Sequence, residues 1–244
     1  MSAAFPVEPP EEPGAGRAIE AVVFDAYGTL LDVHSAVMRH AGRLGAGALA
    51  FSMDWRAKQL EYSWVRSLTG PAHHRDFWRL TVEALRFACE RHGVEDPALV
   101  QDLLAAYRRL DAFPEVPAML RALRRAGLRT AILSNGEPMM LADAVAAAGI
   151  GALLDALLSV EAAGVFKPDR RVYALATQRL GVPAERIAFV SANPWDTQGA
   201  HHAGFRCFRV NRPVAGRMAP DEYGLAEAGV PSLSDLSSLP TLLP

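Results

Sequence analysis

Ala21-Val22-Val23-Phe24-Asp25-Ala26-Tyr27-Gly28-Thr29-Leu30 is the stretch that decides the fold. Four consecutive apolar residues without polar alternation suit a strand buried on both faces, the habit of parallel sheets. An acid ends the run and Gly28 opens a turn. Similar runs occur at Thr130-Ala131-Ile132-Leu133, Ala156-Leu157-Leu158-Ser159-Val160 and Ile187-Ala188-Phe189-Val190, with a weaker one at Cys207-Phe208-Arg209-Val210. Helical stripes separate them. Val116, Met119, Leu120 and Leu123 share a face before Gly127, as do Val172, Leu175, Ala176 and Leu180 before Gly181. Strand and helix alternate from about residue 113 onward, which predicts an α/β fold with a doubly wound, mainly parallel sheet core.

Residues 34–111 break the alternation. Trp78, Val82, Leu85 and Cys89 fall at i, i+4, i+7 and i+11, and Met53 to Leu68 carries Trp55 and Trp64 on another helical stretch. The expected organisation is a disordered tail over 1–18, core over 19–33, an inserted all-helical cap over 34–111, and core again over 112–244. Ligands of open α/β sheets bind beyond the carboxyl ends of the strands. A cap entering just after the first strand sits over that edge and can exclude water from it.

The chain has 244 residues, 50% hydrophobic and 21% charged, enough for one sizeable core and a smaller second unit. Its formal charge of −2 offers no attraction for nucleic acid or an anionic membrane. No apolar run approaches the roughly 18 residues that span a bilayer. The first 17 residues hold four prolines and three glutamates and no apolar segment of a secretory signal, so they read as disordered. Cys89 and Cys207, far apart and in a helix and a strand, read as two reduced, buried thiols of a cytoplasmic protein. Adjacent histidines, His73-His74 and His201-His202, point in different directions and read as surface positions rather than a metal site; no cofactor is expected either.

Four polar clusters lie just past four of the strands: Asp25 to Thr29, Ser134-Asn135-Gly136, Lys167-Pro168, and Ser191-Ala192-Asn193-Pro194-Trp195-Asp196. Each alone has an ordinary explanation. An acid before glycine forms turns, Asn193 or Asp196 can cap a helix, and Lys167 can be a solvated lysine. Their joint occurrence at one sheet edge is what these explanations leave out.

The constellation resembles the haloacid dehalogenase superfamily at the four places where that family carries its motifs, over nearly the whole chain from Ile19. Within it, the L-2-haloacid dehalogenase branch is the nearest likeness. Phosphatases of the superfamily place a second Asp two residues after the nucleophile as general acid, where this chain has Tyr27. They also hold Mg²⁺ with motif-four carboxylates, where this chain offers only Asp196. The cap segment Trp55-Arg56-Ala57-Lys58-Gln59-Leu60-Glu61-Tyr62-Ser63-Trp64 is similar to the dehalogenase cap.

The resemblance implies a set of roles. Asp25 attacks C2 of an L-2-haloacid, displacing halide and forming an aspartyl ester that water then hydrolyses to a D-2-hydroxy acid. Arg56, Asn135 and the ring edge of Trp195 cradle the halide, and Ser134 with backbone amides near Tyr27 takes the substrate carboxylate. Lys167 balances the charge of Asp25, Tyr173 bonds nearby, and Thr29 bonds the Asp25 carboxylate. Ser191, Asn193 and Asp196 hold Lys167 and the hydrolytic water, with Asp196 polarising it. Leu60, Phe77 and Tyr27 form an apolar wall. Members of the branch are often homodimers. Ala57 stands where the family usually has Gln, Ala192 where it often has Ser, and the 69–76 loop is about two residues longer. A phosphatase or phosphonatase on the same core, and a silent anion-binding relative, remain the alternatives.

Overall fold

The computed structural model describes residues 18–214 and 216–243; the tail expected over 1–18 falls outside them except for Ala18. Six strands form one sheet in the order β5-β4-β1-β6-β7-β8: β1 Ala21–Phe24, β4 Arg129–Ser134, β5 Ala156–Ser159, β6 Ile187–Ser191, β7 Arg206–Val210 and β8 Ser232–Leu233. Every pairing in it is parallel. The chain builds outward from β1 through β4 to β5, then crosses back to β6. That reversal at β1 is a topological switch point, where α/β sheets open a crevice for ligands.

Register fixes what lies beside the crevice. Phe24 pairs with Ile132 of β4 and Val190 of β6, so Asp25, one residue on, stands level with Leu133 and Ser191. The Asp25 backbone N–H donates to the Val190 carbonyl at 2.9 Å. Helices α6 Val116–Arg125, α7 Pro138–Ala147, α8 Arg170–Leu180 and α9 Pro194–His202 make the crossovers. Gly181 ends α8 in the left-handed conformation, at φ 61°, which glycine adopts at little cost.

Between β1 and β4 the chain leaves through β2 Leu31–Asp32 and returns through β3 Asp111–Ala112, an antiparallel pair. Five helices lie between those two strands: α1 Ser35–Met38, α2 Ala41–Leu44, α3 Ala48–Leu68, α4 Phe77–His92 and α5 Pro97–Tyr107. No helix among the described residues is long and apolar enough to cross a membrane.

Two expectations are corrected. The run at Ala156 does not form a strand buried on both faces: β5 is the edge of the sheet, and Leu157 is exposed. A continuous apolar run does not reveal whether a neighbour pairs beyond it. In α4 the inward stripe is Phe77, Leu80, Thr81, Ala84, Leu85, Ala88 and Cys89, while Val82 is exposed. Of the stripe read from Trp78, Leu85 and Cys89 do face inward, whereas Trp78 is half-buried beneath Arg108, 3.9 Å from its ring centroid.

Candidate active site

The loop after β1 is wound tightly. The Ala26 carbonyl accepts from the backbone amides of Thr29, Leu30 and Leu31. Gly28, at φ 93°, makes that turn possible, since side-chain-bearing residues rarely adopt such a conformation. The turn folds Thr29 back so that its Oγ1 donates to Asp25 Oδ2 at 3.0 Å and accepts from the Ala192 amide at 2.9 Å. Asn193 Nδ2 also donates to Oδ2 at 3.0 Å. Lys167 Nζ donates to the other oxygen, Oδ1, at 3.2 Å.

Lys167 has no exposed surface. Its ammonium donates to Asp196 Oδ2 at 2.8 Å as well, so it bridges two carboxylates. Asp196 in turn accepts from Ser191 Oγ at 3.0 Å and from the Tyr173 hydroxyl at 2.8 Å. Burial pushes the Asp196 carboxyl above the ordinary carboxylate range; the Lys167 charge opposes that, and the nearby Asp25 reinforces it. Burial also pushes the Tyr173 phenol far up, so it stays protonated and donates. Helix α9 lies so close to Tyr173 and Pro168 that a Cβ at Gly199 would collide with both. Removing one partner of such a buried ion cluster typically costs about 3–5 kcal/mol, because a charge is stranded.

A second cluster stands at the end of β4. Asn135 Oδ1 accepts the Lys167 backbone N–H at 3.0 Å, which turns its amide NH₂ away from that bond. Ser134 Oγ is fully buried and accepts from the Gly136 amide at 3.0 Å. Gly136 has to be small, since an added Cβ would press on the Tyr27 ring and hydroxyl. The Tyr27 hydroxyl is buried without a hydrogen-bond partner among the described residues, and burial holds it protonated.

From α3, Arg56 reaches the loop after β1: its Nη2 donates to the Tyr27 carbonyl at 3.4 Å. Leu60, half-buried, lies one turn further along α3. Phe77 is fully buried against Phe166, the neighbour of Lys167, at 5.9 Å between ring centroids. Trp195 stands edge-on to the cap's Trp64 at 5.6 Å. Asp25, Thr29, Lys167, Tyr173, Ser191, Asn193 and Asp196 thus form one hydrogen-bonded cluster, joined to Asn135 through the Lys167 backbone. Among the described residues, no three of His, Cys, Asp and Glu gather as a metal ion would need.

A family model of haloacid dehalogenase-like hydrolases matches residues 19–204. The chain belongs to that family. This hydrolase is 47% identical over 221 residues to the (S)-2-haloacid dehalogenase 4A of Burkholderia cepacia, covering 89% of this chain and 93% of the relative. It is 48% identical over 226 residues to the (S)-2-haloacid dehalogenase 1 of Pseudomonas sp. (strain CBS-3), covering 92% and 96%. Among solved structures it is similar to the L-2-haloacid dehalogenase from Xanthobacter autotrophicus with chloropropionic acid covalently bound: TM-score 0.81, 39% identity, 92% of this chain and 98% of that one.

Sequence reasoning missed several residues that shape the site of this haloacid dehalogenase-like hydrolase. Tyr107, the last residue of α5, stacks its ring on Tyr27 at 5.9 Å and 9°. Gln59 is fully buried and bonds Tyr107. Arg212 donates to the carbonyls of Gly28 and Thr29 at 3.2 and 3.0 Å, bracing the turn after β1. His74 is no plain surface position: its Nε2 is 2.9 Å from Glu161 of the core. A usable signal existed for Gln59, a polar residue at four-residue spacing between Trp55 and Ser63 on a buried helix face.

Proposed function

We propose that this hydrolase dehalogenates short-chain L-2-haloalkanoic acids to D-2-hydroxy acids through an ester on Asp25, without a metal ion. The observation that carries this reading is the buried Lys167 ammonium, 3.2 Å from Asp25 Oδ1 and 2.8 Å from Asp196 Oδ2. It puts a fixed positive charge beside the nucleophile, where phosphoryl-transfer chemistry would call for a divalent cation. A carbon–halogen bond needs no proton on its leaving group, which suits a site with Tyr27 in place of a second acid.

The geometry divides the labour. Thr29, Asn193 and Lys167 fix both oxygens of Asp25, so the carboxylate meets C2 in one orientation. As the new O–C2 bond forms, the C–X bond breaks and the halide leaves with its electron pair, inverting C2. In this reading Arg56 and the Asn135 amide NH₂ receive it, and Ser134 with the backbone amides near Tyr27 takes the substrate carboxylate. Water then attacks the Asp25 carbonyl carbon and gives up a proton. Asp196, made more basic by burial, is the group in the cluster suited to take it. The ester C–O bond to Asp25 breaks, the departing oxygen takes up the remaining water-derived proton, and the hydroxy acid leaves with the oxygen Asp25 contributed; Asp25 keeps one from water as a carboxylate, and Asp196 returns its proton to solvent. The buried free thiols Cys89 and Cys207 suit a reducing, cytoplasmic setting, and a homodimer is the assembly the family likeness suggests.

One paired assay tests the reading: chloride release from each 2-chloropropionate enantiomer, and phosphate release from an aryl phosphate, each with Mg²⁺ and with chelator. Chloride from the L-enantiomer alone, indifferent to chelator, is expected. Mg²⁺-dependent phosphate release without chloride would replace it with a phosphatase.

A further inference from the structure

We propose that Tyr107, Gln59 and Thr81 form a one-way hydrogen-bond relay through the cap that aims Arg56 at the leaving halide, with Tyr107 as the positioning residue that bears on the guanidinium. The inference rests on the dehalogenase reading and adds a control over its halide side.

The relay is buried from end to end: Gln59 and Thr81 have no exposed surface and Tyr107 almost none. It starts on α4, where the Thr81 hydroxyl donates to the Phe77 carbonyl at 2.8 Å. A hydroxyl has one hydrogen, so Thr81 meets its next neighbour as an acceptor. Gln59 Nε2 donates to Thr81 Oγ1 at 2.8 Å. That bond assigns the amide and turns Gln59 Oε1 toward Tyr107, whose hydroxyl donates to it at 3.1 Å. Tyr107 has then used its own hydrogen, and its oxygen presents only lone pairs.

The relay assigns those lone pairs to Arg56. This arginine lies one turn before Gln59 on α3, and its Nη2 is 3.4 Å from the carbonyl of Tyr27, the residue on whose ring Tyr107 stacks. Burial pushes the Tyr107 phenol up, while the Arg56 charge and a hydrogen bond from Arg56 pull the other way. Trp55, 4.9 Å from the Tyr107 ring, and Tyr27 on the other side leave that ring little freedom. The guanidinium ends a long, flexible stem on a half-buried residue. Without fixed acceptors it would lose rotamer entropy each time it met a halide; with them it is already aimed.

Tyr107→Phe tests this, since it keeps the ring and both stacks and deletes only the hydroxyl. With L-2-chloropropionate, kcat should fall about tenfold, the scale of one hydrogen bond to a charged partner, with KM little changed. The loss should be smaller for the bromo substrate. Thr81→Val, two bonds away, should show the same halide order at smaller amplitude. The deciding measurement is the double mutant: on an Arg56→Ala background, Tyr107→Phe should cost nothing further. Full additivity there, or a Tyr107→Phe enzyme with unchanged kcat beside a slow Arg56→Ala enzyme, would overturn the relay. Wild-type enzyme that releases no halide would instead overturn the dehalogenase reading on which it rests.

Discussion

Around Asp25 the core places Thr29, Asn193 and Lys167 at 3.0, 3.0 and 3.2 Å, all on elements of one sheet edge. The cap reaches the same loop more loosely, through Arg56 at 3.4 Å from the Tyr27 carbonyl and through the Tyr27–Tyr107 stack. Lys167 and Asp196 have no exposed surface, whereas Arg56 is half-buried. The Asp25 side is therefore held by strand register and buried charge within the core. The proposed leaving-group side draws on Arg56 from α3. Substitutions in the two halves should fail in different ways.

The largest effect is expected in the core. Asp25→Asn keeps the shape but removes the anion, so turnover should fall by several orders of magnitude in a folded protein. Single-turnover reaction in ¹⁸O water sharpens the test. Label should enter Asp25 first and product only later; prompt label in product would mean direct attack by water. Lys167→Ala should be nearly as severe and should also lower thermal stability, because Asp25 and Asp196 would then face each other without a cation. Added Mg²⁺ should not restore it, and chelation should leave the wild-type rate within about twofold. Rescue of Lys167→Ala by Mg²⁺ would show that the core tolerates a metal in place of the ammonium.

On the cap side, Arg56→Ala should lower kcat by roughly 10²-fold, the scale of removing a preorganised donor. Asn135→Ala, its partner across the crevice, should do likewise. Charge builds on the halide in the transition state, so the loss should fall on kcat and grow from bromide to chloride to fluoride. Arg56→Lys should recover little, since an ammonium cannot reproduce the planar fork. A rise in KM alone, equal for two halides, would put Arg56 on the substrate carboxylate instead.

The smallest effect separates rate from pH. As the proposed proton acceptor, Asp196 would work only when ionised, so kcat should fall as pH drops through its pKa, which burial holds above the ordinary carboxylate range. The Tyr173 hydroxyl bond favours the ionised form. Tyr173→Phe removes it, and the acid limb of the kcat profile should move to higher pH. An unmoved limb would mean that another group takes the proton.

Much of the site was legible because its chemistry is local. Continuous apolar runs mark buried parallel strands, and residues just past a strand in the chain lie just past its end in space. Clusters after four strands therefore had to meet at one edge, and Asp25, Asn135, Lys167 and Asp196 do. The inserted helices between β2 and β3 were legible from their changed period. Periodicity cannot register partnership over distance. It could not show that β5 is an edge, that Arg209 lies buried in β7 despite its charge, or that α4 turns Phe77 inward rather than Trp78.

The cap's polar relay is the clearest case. Gln59 meets Tyr107 across 48 residues and Thr81 across 22; the spacing of Gln59 marks it as buried, but nothing in the chain names its partners. The amino-acid sequence by itself determined the strands, the tight turn that glycine permits at position 28, and the acids, amides and lysine at the strand ends. Only the tertiary structure decided which oxygen of Asp25 each donor holds, that the Asn135 carbonyl oxygen takes the Lys167 amide, and that Gln59 joins Tyr107 to Thr81. The physical reason is direction: a sequence places a donor or acceptor along a chain, but a hydrogen bond acts only where packing has aligned both partners.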